Sequence, residues 1–260
     1  MSSSPLQTLL DRHQLWRAGL TSAPDKSGLH TGFAALDAAL HLGGWPPDGS
    51  TELLCDQLGI GELWLLMPSL VERSQHGPIA WINPPCTPNI AAWEHHGLAA
   101  HRQLLLSPKL LADQLWAAEE ILRSGVFSAV LSWFSCRELQ DRQLRRLHVA
   151  AKEGQCWHLH FRSGHCAQQV SPAPLRLQLA AETDSLLLRV IKQPGGPAAP
   201  ELLLARPKEL YHRQRPVKDW PSFTSVDLAQ HGTSRRRLRL IPALQPARPT
   251  PIRTDQRGVQ

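Results

Sequence analysis

The sequence predicts an α/β fold, a mainly parallel β-sheet flanked by helices with antiparallel strands at one edge and a degenerate phosphate-binding loop. Three observations predict it. Short apolar runs alternate with helix-period segments between residues 50 and 161, and strands separated by helices of that length close into a parallel sheet with right-handed crossovers. Residues 51–66 read as a buried strand, a glycine-bearing turn and an apolar helix. Residues 175–179 and 185–192 are two strand patterns with no helix between them, which implies an antiparallel edge extension.

The strand–turn–helix segment has the layout of the loop G-x-x-x-x-G-K-[ST], in which backbone N–H groups cradle phosphates, lysine balances the terminal charge and a hydroxyl holds magnesium. Laid on that frame, Asp56 takes the first glycine, Gly61 the second, Glu62 the lysine and Leu63 the hydroxyl residue, with Gly59 inside the turn. Two carboxylates are then expected to face a polyphosphate with no cation between them. Exchanging a cation for an anion at this distance replaces attraction by repulsion, each about 1–4 kcal/mol at surface-like dielectric. Residues 58–61 also read as a plain turn between strand and helix, and on the residues alone both readings stand open. Under either, no Walker-type ATPase and no nucleotide cofactor are expected.

The other elements follow in order. Residues 6–17 place Leu6, Leu9, Leu10, Leu15 and Trp16 at near-helical spacing, an amphipathic arm joined by a linker at 21–30. Residues 33–40 form a short helix capped by Thr31, and 43–49 a forced turn into the strand at 50–55. The helix at 62–74 turns Leu63, Leu66, Met67 and Leu70 to one face, and Pro68 is expected to kink it. Then come a strand at 79–83, a helix at 89–97, a strand at 103–106 and a helix at 110–124 ended by Gly125. A buried strand at 127–133, a helix at 138–153 ended by Gly154 and a strand at 155–161 complete the alternation. Residues 201–205 are a further strand candidate.

Three regions result: an arm and linker at 1–30, the α/β core at 31–205, and a tail at 206–260. The charge is divided the same way. Residues 1–205 carry 16 Lys/Arg against 18 Asp/Glu, whereas 206–260 carry 12 against 4, so the net +6 comes entirely from the tail. With seven prolines and the run Arg235-Arg-Arg-Leu-Arg239, the tail is too polar to build a core, and disorder in isolation is expected. No apolar run approaches the ~20 residues that span a bilayer, and the N-terminus lacks the features of a secretory signal. Five cysteines at irregular spacing argue for a reducing compartment, hence a cytoplasmic chain. Cys156, His158, His160, His165 and Cys166 invite a zinc reading. No Cys-x-x-Cys pair anchors such a site, so strand histidines and buried thiols are the preferred account, with no metal expected.

Several segments together carry a resemblance. Thr31-Gly-Phe-Ala-Ala-Leu-Asp37, Gly43-Gly-Trp-Pro46 and Gly49-Ser-Thr-Glu-Leu-Leu54 resemble the opening of the RecA core. Asp56-Gln-Leu-Gly-Ile-Gly-Glu-Leu63, Ile82-Asn-Pro-Pro-Cys-Thr-Pro88, Trp116-Ala-Ala-Glu119, Leu122-Arg-Ser-Gly125 and Ser171-Pro-Ala-Pro-Leu-Arg-Leu177 are similar to the ImuA family, and His13-Gln-Leu-Trp-Arg17 fits it. The resemblance spans residues 6–205 and implies a RecA-like core in an accessory protein of SOS-induced, error-prone translesion DNA synthesis. SulA, the SOS cell-division inhibitor that acts on FtsZ, looks like a shorter version of the same core and gives the alternative function. Relative to RecA, Ser132 and Trp133 stand where a magnesium-orienting acid is expected, and Asn83-Pro-Pro85 replaces the segment bearing the glutamate that activates water. The loops after residues 133 and 161 are short for DNA contact, which argues against a recombinase.

The resemblance implies RecA and ImuB as partners, with an error-prone polymerase reached indirectly. Leu9, Leu10 and Trp16 of the arm and Arg235, Arg236, Arg237 and Arg239 of the tail are the candidate contact residues. Those arginines suit DNA phosphates, with steep salt dependence, or equally an acidic protein, with Leu238, Leu240 and Ile241 as apolar anchors.

Overall fold

The computed structural model describes residues 28–134, 139–195 and 201–206. Eight strands form one sheet in the order β3-β2-β4-β5-β1-β6-β7-β8. These are β1 Gly49–Leu54, β2 Ile79–Ile82, β3 Gln103–Leu106, β4 Ala129–Trp133, β5 Trp157–Arg162, β6 Leu175–Ala181, β7 Ser185–Lys192 and β8 Leu202–Ala205. The helices are α1 Ala34–Ala39, α2 Glu62–His76, α3 Ile90–His95, α4 Leu111–Arg123 and α5 Asp141–Glu153. Strands β1 to β6 pair in parallel and β7 and β8 antiparallel, so the α/β class and its antiparallel edge are as expected. The reversal begins at β7, however, because β6 runs parallel to β1.

Burial on both faces explains why β1, β2, β4 and β5 read as apolar runs without alternation: every residue of these four strands is buried. One face packs Leu53, Trp81, Leu131, Trp133, Leu159, Phe161 and Leu177 under α1 and α2. The other packs Ala80, Ile82 and Val130 against Ala118, Leu122, Leu144 and Leu147 of α4 and α5. Across the first face runs a ladder of rings. Trp133 stacks on Phe161 at 4.5 Å and on Trp81 at 6.2 Å, and Trp81 stacks on Trp93 of α3 at 4.7 Å.

Several boundaries differ from the sequence reading, each for a local reason. The N-cap of α1 is Phe33, not Thr31. Thr31 acts two residues earlier, where its Oγ1 accepts the Phe33 N–H at 3.0 Å while its own N–H donates to Asp37 Oδ1 at 2.9 Å. Helix α2 runs on to His76, two residues past the expected end, and its Pro68 ring lies against Gly32, where a Cβ would come within 2.6 Å of Pro68 Cβ. Strand β4 starts at Ala129 because Ser128 Oγ donates to the Gly77 carbonyl at 2.9 Å and ties the chain to the end of α2. Strand β5 starts at Trp157, since Gln155 has a φ of 49° and cannot extend it. The arm, residues 135–138 and the tail beyond residue 206 lie outside the described residues.

Trp133 meets two rings and is almost wholly buried. A Trp133→Ala variant is expected to lose about 3–5 kcal/mol in urea unfolding, whereas a loss below about 1 kcal/mol would show that the ladder carries little packing energy.

Candidate functional site: a glycine loop closed by its own carboxylate

Strand β1 lies in the middle of the sheet between β5 and β6, and the loop that follows it opens where the chain turns into α2. Two glycines make the turn possible. Gly59 has a φ of 72° and Gly61, the N-cap of α2, a φ of 107°, both in the left-handed region that side chains disfavour. These conformations point successive backbone N–H groups inward beside the positive end of a helix, the arrangement that binds phosphate elsewhere.

In this chain the acceptor is internal. The Glu62 carboxylate folds back into the loop, where the Gly59 N–H donates to Oε1 at 3.0 Å and the Gly61 N–H donates to Oε2 at 3.2 Å. Glu62 is 7% exposed. An anion thus fills the nest from within. Leu63, at the position of the hydroxyl residue, packs against the apolar cluster beneath α2.

Asp56 corrects the expectation that two carboxylates face a bound polyphosphate. Its Oδ1 accepts the Ser163 hydroxyl and the Gly164 N–H, both at 2.7 Å, so it braces the segment after β5. A Cβ at position 164 would lie 2.5 Å from Asp56 Oδ2, so a larger residue there has to displace this carboxylate.

Sequence reasoning missed the groups that hold this region in place. Glu52 of β1, 1% exposed, pairs with Arg162 of β5 through Oε1 at 2.7 Å and with Arg176 of β6 through Oε2. Arg176 also donates to the carbonyls of Cys166, Ala167 and Gln169, and Arg162 to the Gln169 side chain. Arg206 sits at the first position of the segment read as tail, yet it is buried and donates to the Ile60 carbonyl at 3.0 Å and to the Glu182 carbonyl. The signal available in sequence was the charge in strand-period positions at 52, 162 and 176, which shows its meaning only once β1, β5 and β6 are neighbours.

The zinc-candidate side chains have separate roles. His158 and His160 lie 5.7 Å apart on β5, with Ser132 Oγ 2.8 Å from His158 Nε2 and 3.1 Å from His160 Nδ1, and with Ser50 Oγ 3.0 Å from His158 Nδ1. Ser132 is therefore engaged with two imidazoles. Cys156 packs in the cluster under α5, where burial pushes its thiol up to about 12. His165 reaches Ser163 instead, and Cys166 is buried beneath the Arg176 contacts. Asn83 is buried at the end of β2 with its amide donating to the Pro108 carbonyl at 3.3 Å. The arm candidates Leu9, Leu10 and Trp16 and the tail candidates Arg235, Arg236, Arg237 and Arg239 lie outside the described residues.

With a parallel sheet of this order, a glycine loop after its central strand and antiparallel strands at one edge, the chain has a RecA-like α/β fold. Among solved structures, the RadB recombinase shares the fold over 68% of this chain and 95% of its own, with a TM-score of 0.53 and 15% identity. SulA from Pseudomonas aeruginosa is 32% identical over 44% of this chain and 98% of its own, with a TM-score of 0.38. No family model and no curated protein matches the chain. No described helix is long and apolar enough to cross a membrane.

Two outcomes follow from this geometry. Removing the internal acceptor leaves the Gly59 and Gly61 N–H groups without it, so Glu62→Ala is expected to cost about 1–3 kcal/mol, with millimolar sulfate or phosphate restoring part of the loss. Thermal melts with and without the anion test this, and an unchanged melt in both would contradict the closure. The second concerns acid. Burial drives the His158 imidazole down to about 3, with nearby His148 a smaller cause. Above about pH 6.5 neither the folded nor the unfolded state is protonated there; below it only the unfolded chain takes up the proton, so stability falls as pH drops from about 6.5 towards 3, by roughly 1 kcal/mol per pH unit. Urea titrations across that range should show a shallower decline in His158→Asn, and parallel slopes would disprove the assignment.

Proposed function

We propose that this chain is a non-catalytic, RecA-like accessory protein of SOS-induced, error-prone translesion DNA synthesis, bridging RecA and ImuB in the polymerase assembly. The observation that carries the reading is the Glu62 carboxylate seated on the Gly59 and Gly61 N–H groups. A triphosphate entering that nest has to displace a tethered anion and then meets no lysine, no magnesium-binding hydroxyl at Leu63 and no acid at Ser132. What such a body retains is the shape of a RecA-like subunit, which suits docking rather than turnover. The segments that resemble the ImuA family, from the arm to Leu177, suggest the biological context.

Immobilised full-length protein is expected to retain purified RecA and ImuB at moderate salt and to hydrolyse ATP no faster than a buffer blank. Failure to retain either partner would overturn the bridging role. Turnover that disappears in Gly61→Asp would overturn the non-catalytic one. Overproduction without DNA damage is expected to leave cell division normal; filamentous cells would instead assign the protein to division inhibition through FtsZ.

A further inference from the structure

The outer face of α4 and α5 plays no part in the loop, yet its side chains are patterned. Each helix carries the chain from one parallel strand to the next, so the two run parallel, and the pairs Glu119–Arg146 and Arg123–Glu153 pin them side by side. Towards solvent α4 presents Asp113, Trp116 and Glu120, an acid–aromatic–acid row at helical spacing, and α5 presents Arg142, Arg145, Val149 and Lys152, with the single acid Asp141 at its first turn. Trp116 is 49% exposed and Val149 44%. Between the helices lies a groove of about 200 Å³ floored by Leu115 and Leu147 and walled by Trp116 and Gln143. Among the described residues, Asp113, Glu120, Arg142, Arg145 and Lys152 form no ion pair. An acidic row on α4 thus runs beside a predominantly basic row on α5, with exposed apolar surface at Trp116 and Val149.

We propose that this face is an isologous interface with a second copy of the same chain, in which α4 of each copy lies on α5 of the other. A two-fold axis parallel to the helices produces that pairing and places acidic row over basic row twice. The Glu119–Arg146 pair sets the axial register of the two helices. At 1.5 Å per residue, Glu120 then comes within about 3 Å along the axis of Arg145 of the second copy, and Asp113 within about 3 Å of Arg142, both inside the reach of an arginine. The two Trp116 rings meet near the axis and cover the grooves. Charge selects this occupant: a nucleic-acid strand would meet Asp113 and Glu120 as repulsive neighbours, whereas an identical copy brings its own complement. The inference is independent of the proposed role in translesion synthesis.

Sedimentation of the full chain is expected to show a reversible dimer at micromolar concentration, and Trp116→Glu to sediment as a monomer with unchanged circular dichroism and melting temperature. Glu120→Arg and Arg145→Glu should each weaken association about tenfold or more, and the two together in one chain should recover most of it. A wild-type protein that stays monomeric at tens of micromolar, a Trp116→Glu variant that dimerises normally, or a double variant no better than either single one would overturn the proposal.

Discussion

Glu52 is the fixed point of this molecule. Its carboxylate is buried in the central strand between two guanidiniums from the flanking strands, Arg162 and Arg176. Desolvating three charges is costly, and the cluster holds only because each oxygen has a charged donor and Arg176 spends its remaining N–H groups on backbone carbonyls of residues 166–169. Those carbonyls belong to the segment whose first residues, Ser163 and Gly164, grip Asp56. From the middle of the sheet to the glycine loop, the geometry is one connected set of polar contacts.

Within that frame the glycine loop is closed by its own chain. A helix N-terminus with inward N–H groups attracts an anion whether the anion comes from solvent or from the chain. Supplying it from Glu62, the first residue of α2, satisfies otherwise orphaned donors at no translational cost and makes the turn self-sufficient. The same economy appears at Ser132, which spends its hydroxyl on two neutral imidazoles. Burial keeps His160 well below the ordinary histidine range, with repulsion from His158 and Arg162 adding to it. At both positions, Glu62 and Ser132, the side chain is engaged in internal hydrogen bonding.

Most of the architecture was legible in the sequence because it rests on periodicity. Helices α2, α4 and α5 and strands β1, β2, β4 and β5 announce themselves through apolar spacing and glycine stops, and the loop glycines mark the turn. The direction of Glu62 was not legible: a carboxylate beside two glycines reads as repulsion towards a ligand, and only the backbone dihedrals at Gly59 and Gly61 show that it folds inward. Asp56 misled for a related reason, since the donors it binds lie more than a hundred residues away in sequence. The parallel course of β6 was equally hidden, because the short segment after β5 returns the chain to the start of the sheet without a recognisable helix.

Arg206 draws a different border from the one composition suggests. Proline content and net charge change abruptly after Ala205, but the guanidinium of the next residue reaches back to the Ile60 carbonyl inside the glycine turn. A protease or a gene truncation that removed everything from position 206 onward would therefore do more than shed a basic appendage: it would unfasten a strut from the turn itself, and any minimal version of the domain should end no earlier than this arginine.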